Sequence, residues 1–219
     1  MSDLSACFAG LVRHHVATPA APLPAPTAGI TWIWAANGIF KRGCDANLDL
    51  LIQIKAWPIG DIPGLVALMP YARYHCWPER LPGSLLGPLL ENARRAADGG
   101  LIARPIEKHY CYVWRDGTIK LVAPPQQGTA GRVAYAPAAG VTLCDIHSHH
   151  TMPAFFSATD DADDTGLSVS AVAGRIFDRP ELLVRLNVYG ARQQVPATTV
   201  FDHTGPFRAK EWQYADTPD

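Results

Sequence analysis

The chain has 219 residues, a hydrophobic share of 48% and a formal net charge of −1, from 19 Lys and Arg against 20 Asp and Glu. This composition excludes a disordered protein, and near-neutrality argues against a broad electrostatic surface, so nucleic acid is not an expected partner. Cys7, Cys44, Cys76, Cys111 and Cys144 are dispersed without a C-x-x-C pair, which excludes a zinc ribbon or thioredoxin motif and suits a reducing, cytoplasmic setting.

In chain order, the apolar run 4–12 follows Asp3 rather than a basic stretch. It predicts a short amphipathic helix and not a signal peptide. No run approaches the roughly 18 apolar residues of a spanning helix, so no membrane partner is expected. Residues 17–27 are rich in Ala and Pro and predict an extended connector. The runs 30–35 and 39–42 flank Asn37-Gly38, a hairpin signal, and 48–54 reads as a further strand. Pro58, Pro63, Pro70, Pro78 and Pro82 keep the next stretch irregular. Residues 1–82 therefore read as a small α+β N-terminal module of unknown role.

The helix signal is best over 85–97. Leu85, Leu86, Leu89, Leu90, Ala93 and Ala97 form its apolar face, Gly99-Gly100 stop it, and Pro88 fits only its first turn. Strand-like runs follow at 109–114, 119–123, 132–135 and 141–146, and later at 167–176, 182–188 and 198–201. Tyr110, Tyr112 and Trp114 alternate and predict an aromatic sheet face packed on the helix. Residues 83–205 thus predict a mixed α/β domain, with 206–219 as a tail.

The chemistry concentrates in Asp145-Ile-His147-Ser-His149-His150, followed by Ser157 and Asp160. Residues two apart on an extended segment point to one side, so His147 and His149 can face one ion. Asp160 offers a third, oxygen ligand. Two nitrogens and one carboxylate leave a position open for water on tetrahedral zinc, the arrangement of a catalytic site. Ser157 and Asp160 also fit a helix-capping pattern, and Asp161, Asp163 and Asp164 fit a solvated helix face. Cys111 and Cys144 lie in strands and read as buried apolar residues. His14, His15, His75, His109 and His203 have no partner at ligand spacing and read as structural. There is no H-E-x-x-H and no H-x-E with P-C-x-x-C, which excludes zincins and nucleoside deaminases.

The pattern H-x-H, seven residues, S-x-x-D is similar to the motif of the JAMM (MPN+, Mov34/MPN/PAD-1) zinc metalloproteases. That resemblance implies a mixed sheet flanked by helices, zinc held by His147, His149 and Asp160, and Ser157 stabilising the tetrahedral intermediate. It also implies an upstream glutamate as general acid and base. Glu107, directly before the predicted strand 109–114, takes that place, with Glu91 in reserve. One departure is visible: family members usually carry proline after the second histidine, where this chain has His150, and the nearest proline is Pro153. The phrases 103–107, 113–117 and 121–125 make the chain resemble the protein A component of the PRTRC cassette. That resemblance implies a ThiF-like activating enzyme nearby and a ubiquitin-like modifier, or its conjugate, as protein substrate. The expected activity is a zinc-dependent metallopeptidase or isopeptidase. The alternatives are a non-catalytic MPN-type scaffold and a DNA-associated RadC-like role.

Overall fold

The computed structural model describes residues 12–77, 79–96, 106–129 and 133–209. The helix expected over 4–12 lies outside the described residues except for Val12, which opens a strand. The Gly99-Gly100 stop and residues 210–219 of the tail also lie outside them. The chain divides into two compact units: 1–79 with 158–169 and 186–193, and 80–157 with 170–185 and 194–219.

The first unit is built on β1 (Val12–Val16), β2 (Gly29–Ala35), β3 (Gly38–Cys44), β4 (Leu48–Ala56) and β5 (Tyr71–Tyr74), adjacent in that order. β1 runs parallel to β2 and the other neighbours are antiparallel. Ala17, Ile33, Ala35, Phe40, Leu51 and Leu68 form its core. Among the described residues before Glu79 there is no helix, so the expected α+β module is here a sheet. The hairpin turn falls one residue earlier than Asn37-Gly38. Ala35 pairs with Gly38, leaving Ala36 and Asn37 in the loop. The reason is that the Asn37 side chain is committed elsewhere. Its amide donates to the carbonyl of Leu68 at 2.8 Å and accepts from the N–H of Leu68 at 2.9 Å. The connector 17–27 is irregular, as its prolines dictate, and is tied down by Arg42, which donates to the carbonyl of Pro24 at 2.7 Å. Arg42 also forms two 2.7 Å bonds to the Asp49 carboxylate.

In the second unit a 3₁₀ turn (Gly83–Leu85) leads into α1 (Leu86–Arg94), which buries Leu86, Leu89, Leu90 and Ala93. The helix is shorter than the predicted 85–97. Pro88 lacks an N–H and occupies the first turn, and Arg95 already caps the C-terminus. The main sheet runs in the order β13 (Ala191–Val195), β12 (Glu181–Val188), β11 (Leu167–Gly174), β10 (Val141–Ser148), β6 (His109–Arg115), β7 (Thr118–Val122), with β14 (Arg208–Ala209) on β12. β8 (Gln126–Gly128) and β9 (Val133–Tyr135) form a separate pair. The sheet is mixed, because β10 pairs parallel with β11 and antiparallel with β6. A parallel pair needs a crossover connection. Here the crossover is residues 149–166, which contains Ser157 and α2 (Ala158–Asp163). The expected aromatic face is present. Tyr110 and Tyr112 are buried, and the Tyr110 hydroxyl donates to Asn92 of α1 at 3.0 Å.

The strand expected at 198–201 is instead a 3₁₀ turn (Ala197–Thr199), and the last strand of that region is β13. Pro196 has no N–H to continue a strand ladder, so the β-branched run after it turns. No helix among the described residues is long and apolar enough to cross a membrane.

Candidate metal centre

The register of β6 on β10 builds the site. Cys111 pairs with Asp145 and His109 pairs with His147. Pairing continues past the strand ends: the N–H of Ser148 donates to the carbonyl of Lys108 at 2.9 Å, and the N–H of Lys108 donates to Ser148 Oγ at 3.1 Å. One step further, Glu107 falls opposite His149. Cross-strand partners share a face, and so do residues two apart. One sheet face therefore carries three polar pairs in a row.

At its upper end the imidazoles converge, with 3.2 Å between His147 Nε2 and His149 Nε2. Glu107 Oε1 lies 3.8 Å from His149 Nε2. His149 and Glu107 are only 3% and 5% exposed. The other ring nitrogen of His149, Nδ1, lies 3.2 Å from the carbonyl oxygen of Pro153. A carbonyl only accepts, so Nδ1 carries the proton and Nε2 presents its lone pair, the state a metal ligand needs. Phe155 packs edge-on against the His149 ring at 4.6 Å. Two nitrogens on a tetrahedral zinc with bonds of about 2.0–2.1 Å lie about 3.3 Å apart. The histidine pair fits a zinc ion in donor type and spacing, and His149 also in tautomer.

The loop supporting His149 is fixed from three sides. The N–H of His149 donates to the carbonyl of Ala173 at 2.8 Å, and the N–H of Arg175 donates to that of Met152 at 2.7 Å. Glu181 accepts from the Ala154 N–H at 3.1 Å and pairs with Arg175 at 3.0 Å. A Cβ on Gly174 would collide with the backbone of Ala154, so only glycine lets the loop lie this close. His150, where the family motif usually has proline, is buried. Its Nε2 has no hydrogen-bond partner among the described residues, and its carbonyl accepts from Ile176 at 2.8 Å.

Ser157 is the residue before α2 and ends a stretch of the second unit. Asp160 lies in the first turn of α2 and is grouped with the first unit, where its carbonyl accepts from the N–H of Asp164 at 3.0 Å. Glu91 is 68% exposed and pairs with Arg95 one turn on, at 3.6 Å. It is a solvated helix residue. Beside Glu107 opens a cleft of about 460 Å³, lined among others by Arg95, Ile106, Lys108 and Gln126.

Two residues carry more than the sequence suggested. His109 was expected to lack a partner and Cys111 to be an apolar core residue. Cys111 is buried as expected, and in addition His109 Nε2, Cys111 Sγ and Asp145 Oδ1 meet at 3.0, 3.4 and 3.3 Å. Burial, reinforced by the Asp145 carboxylate, pushes the Cys111 thiol well above its ordinary value, so it is not an activated nucleophile. The signal was the alternation His109-x-Cys111 and Asp145-x-His147. What was missing is the register that sets the two strands opposite one another.

Residues 94–187 match the family model of prokaryotic homologs of the JAB domain. The matched segment contains Glu107, His147, His149, Ser157 and Asp160, and the JAMM/MPN resemblance read from the motif holds over it. No curated protein matches the chain.

Proposed function

With residues 94–187 similar to the prokaryotic JAB domain homologs, we propose that the chain is a zinc-dependent peptidase that hydrolyses an amide or isopeptide bond. The observation that carries this reading is the convergence of half-buried His147 on buried His149 at 3.2 Å, with the carboxylate of buried Glu107 3.8 Å from His149. His147, His149 and Asp160 are the proposed ligands. Zinc, when bound there, supplies a Lewis acid and lowers the pKa of the water it binds to about 7.

The protein's own groups do the rest. Glu107 accepts the proton of the attacking water and returns it to the departing amine. One C–O bond forms, the C–N bond breaks, and a carboxylate and an amine leave. Ser157 donates its hydroxyl to the carbonyl oxygen as charge grows there. The Pro153 carbonyl holds His149 in the tautomer that keeps Nε2 available. The cleft at Glu107, flanked by Arg95 and Lys108, gives an extended peptide segment a way in.

The proposed substrate is the C-terminus of a ubiquitin-like protein, linear or conjugated, with a ThiF-like activating enzyme as cassette partner. The helix-flanked sheet of the JAMM proteases and a cytoplasmic setting belong to the same proposal. The test is cleavage of a linear fusion of a ubiquitin-like protein encoded beside this chain. Zinc-loaded protein should cleave it, chelation should abolish cleavage, and zinc should restore it. Zinc-loaded protein that leaves every fusion and conjugate intact would favour the non-catalytic MPN-type scaffold.

A further inference from the structure

We infer that His109, Cys111 and Asp145 form a second zinc site, one with a thiolate ligand, on the same sheet face as the histidine pair. The inference does not depend on the peptidase reading. It rests on three donor atoms of three kinds that close a triangle. Nε2 to Oδ1 is 3.0 Å, Sγ to Oδ1 is 3.3 Å and Sγ to Nε2 is 3.4 Å. Zinc bonds of about 2.3 Å to sulfur and about 2.0–2.2 Å to nitrogen and oxygen put tetrahedral ligands about 3.3–3.6 Å apart. The cluster matches that figure within a few tenths of an ångström on every edge.

The surroundings hold these donors in place. Gln126 clamps the backbone of His109 from both sides, accepting from its N–H at 2.7 Å and donating to its carbonyl at 2.9 Å. Tyr135 stacks flat on the imidazole, with centroids 3.4 Å apart and planes within 9°. Stacking occupies the ring face and leaves Nε2, in the ring plane, aimed at the cluster, where in the absence of metal it donates to Asp145. His109 and Cys111 are buried, while Asp145 leaves 31% of its side chain exposed, so an ion and a water ligand can reach the third donor. Three protein ligands with an open fourth position are a sufficient zinc set, and the thiolate favours zinc over magnesium or calcium. Zinc uptake transfers the thiol proton to solvent, so the bound sulfur is a thiolate whatever the state of the free thiol.

The test is metal titration of the full chain with zinc and with cobalt as its spectroscopic substitute. Wild type should bind about two zinc ions per chain, one for each set of three ligands. Its cobalt form should show a thiolate-to-metal charge-transfer band, which the sulfur-free set His147, His149 and Asp160 cannot produce. Cys111→Ser and Asp145→Asn should lose the band and one equivalent. His147→Ala with His149→Ala should lose the other equivalent and keep the band. X-ray absorption of that double variant, which leaves Cys111 untouched, should find one sulfur among the zinc ligands even if the Cys111 variants fail to fold. A wild-type cobalt form without the band, or a band that survives in both Cys111→Ser and Cys111→Ala, overturns the inference. One equivalent with a band that Cys111→Ser removes supports it and instead counts against the histidine pair as a zinc site.

Discussion

Among single residues, two carboxylates that look alike in sequence have opposite surroundings. Glu91 and Glu107 both precede the histidines. Glu91 is mostly in solvent beside Arg95, while Glu107 is buried with its carboxylate 3.8 Å from His149. Glu107→Gln should therefore keep zinc and fold while turnover drops by roughly 10²–10⁴-fold, the usual share of general acid–base catalysis. Glu91→Gln should change neither, because an exposed ion pair contributes little. Steady-state cleavage with zinc measured on the same samples checks both. An inactive Glu91 variant beside a fully active Glu107 variant would reverse the assignment. His149→Ala should cost about one equivalent of bound zinc by metal analysis, since it removes one of three ligands. Undiminished zinc would exclude His149 as a ligand.

At the scale of elements, the loop after β10 and the sheet of the first unit carry separate predictions. Gly174 on β11 leaves room for the backbone of Ala154, and the Pro153 carbonyl next to it sets the His149 tautomer. Gly174→Ala should displace that loop and weaken zinc binding by roughly 10–100-fold, as loss of an outer-sphere partner does, with the far-UV circular dichroism unchanged. Unaltered affinity by competition with a chromophoric chelator would show that the loop does not position the ligand. In the first unit, Asp49 neutralises buried Arg42 and also accepts from the Tyr71 hydroxyl at 3.2 Å. Asp49→Ala strands a buried cation and should cost about 3–5 kcal/mol in urea unfolding. Adding Arg42→Met should recover much of that loss, because an apolar pair leaves no charge uncompensated. A double variant as unstable as the single one would mean that the pair is needed for its shape.

The elements also show what the sequence made legible. The alternation of Tyr110 and Tyr112, the apolar face of α1 and the strand leading into His147 all follow from local periodicity, and the structure has them. What was illegible depends on partners distant in sequence. The Asn37 turn shifts because its amide bonds Leu68, thirty-one residues on. The run after Pro196 looks like a strand by composition and turns because its predecessor cannot donate. His109 and Cys111 gain a carboxylate only through the pairing register with Asp145, which no spacing within one strand records.

At the scale of the whole molecule, the chain does not divide at one point. Residues 158–169 and 186–193 group with the first 79 residues. In that group Gln193 accepts from the N–H of Gln53 at 2.6 Å, and Lys41 donates to the carbonyl of Tyr189 at 2.8 Å. A chain starting at residue 82 keeps all proposed ligands but strips these partners away. It should fold with a lower midpoint in urea than the full chain and still bind zinc through His147 and His149. Folded protein of that length without zinc would show that the site needs the first unit.

The proposed role of buried Glu107, beside the histidine pair, is to make a zinc-dependent hydrolase of this JAB-like segment. It is tested most directly by single-turnover cleavage of a linear ubiquitin-like fusion by zinc-loaded wild type and Glu107→Gln side by side, with zinc quantified in each. Equal zinc in both proteins and cleavage only by wild type are expected. Equal zinc with equal cleavage, or zinc-loaded wild type that cleaves nothing, would contradict that role.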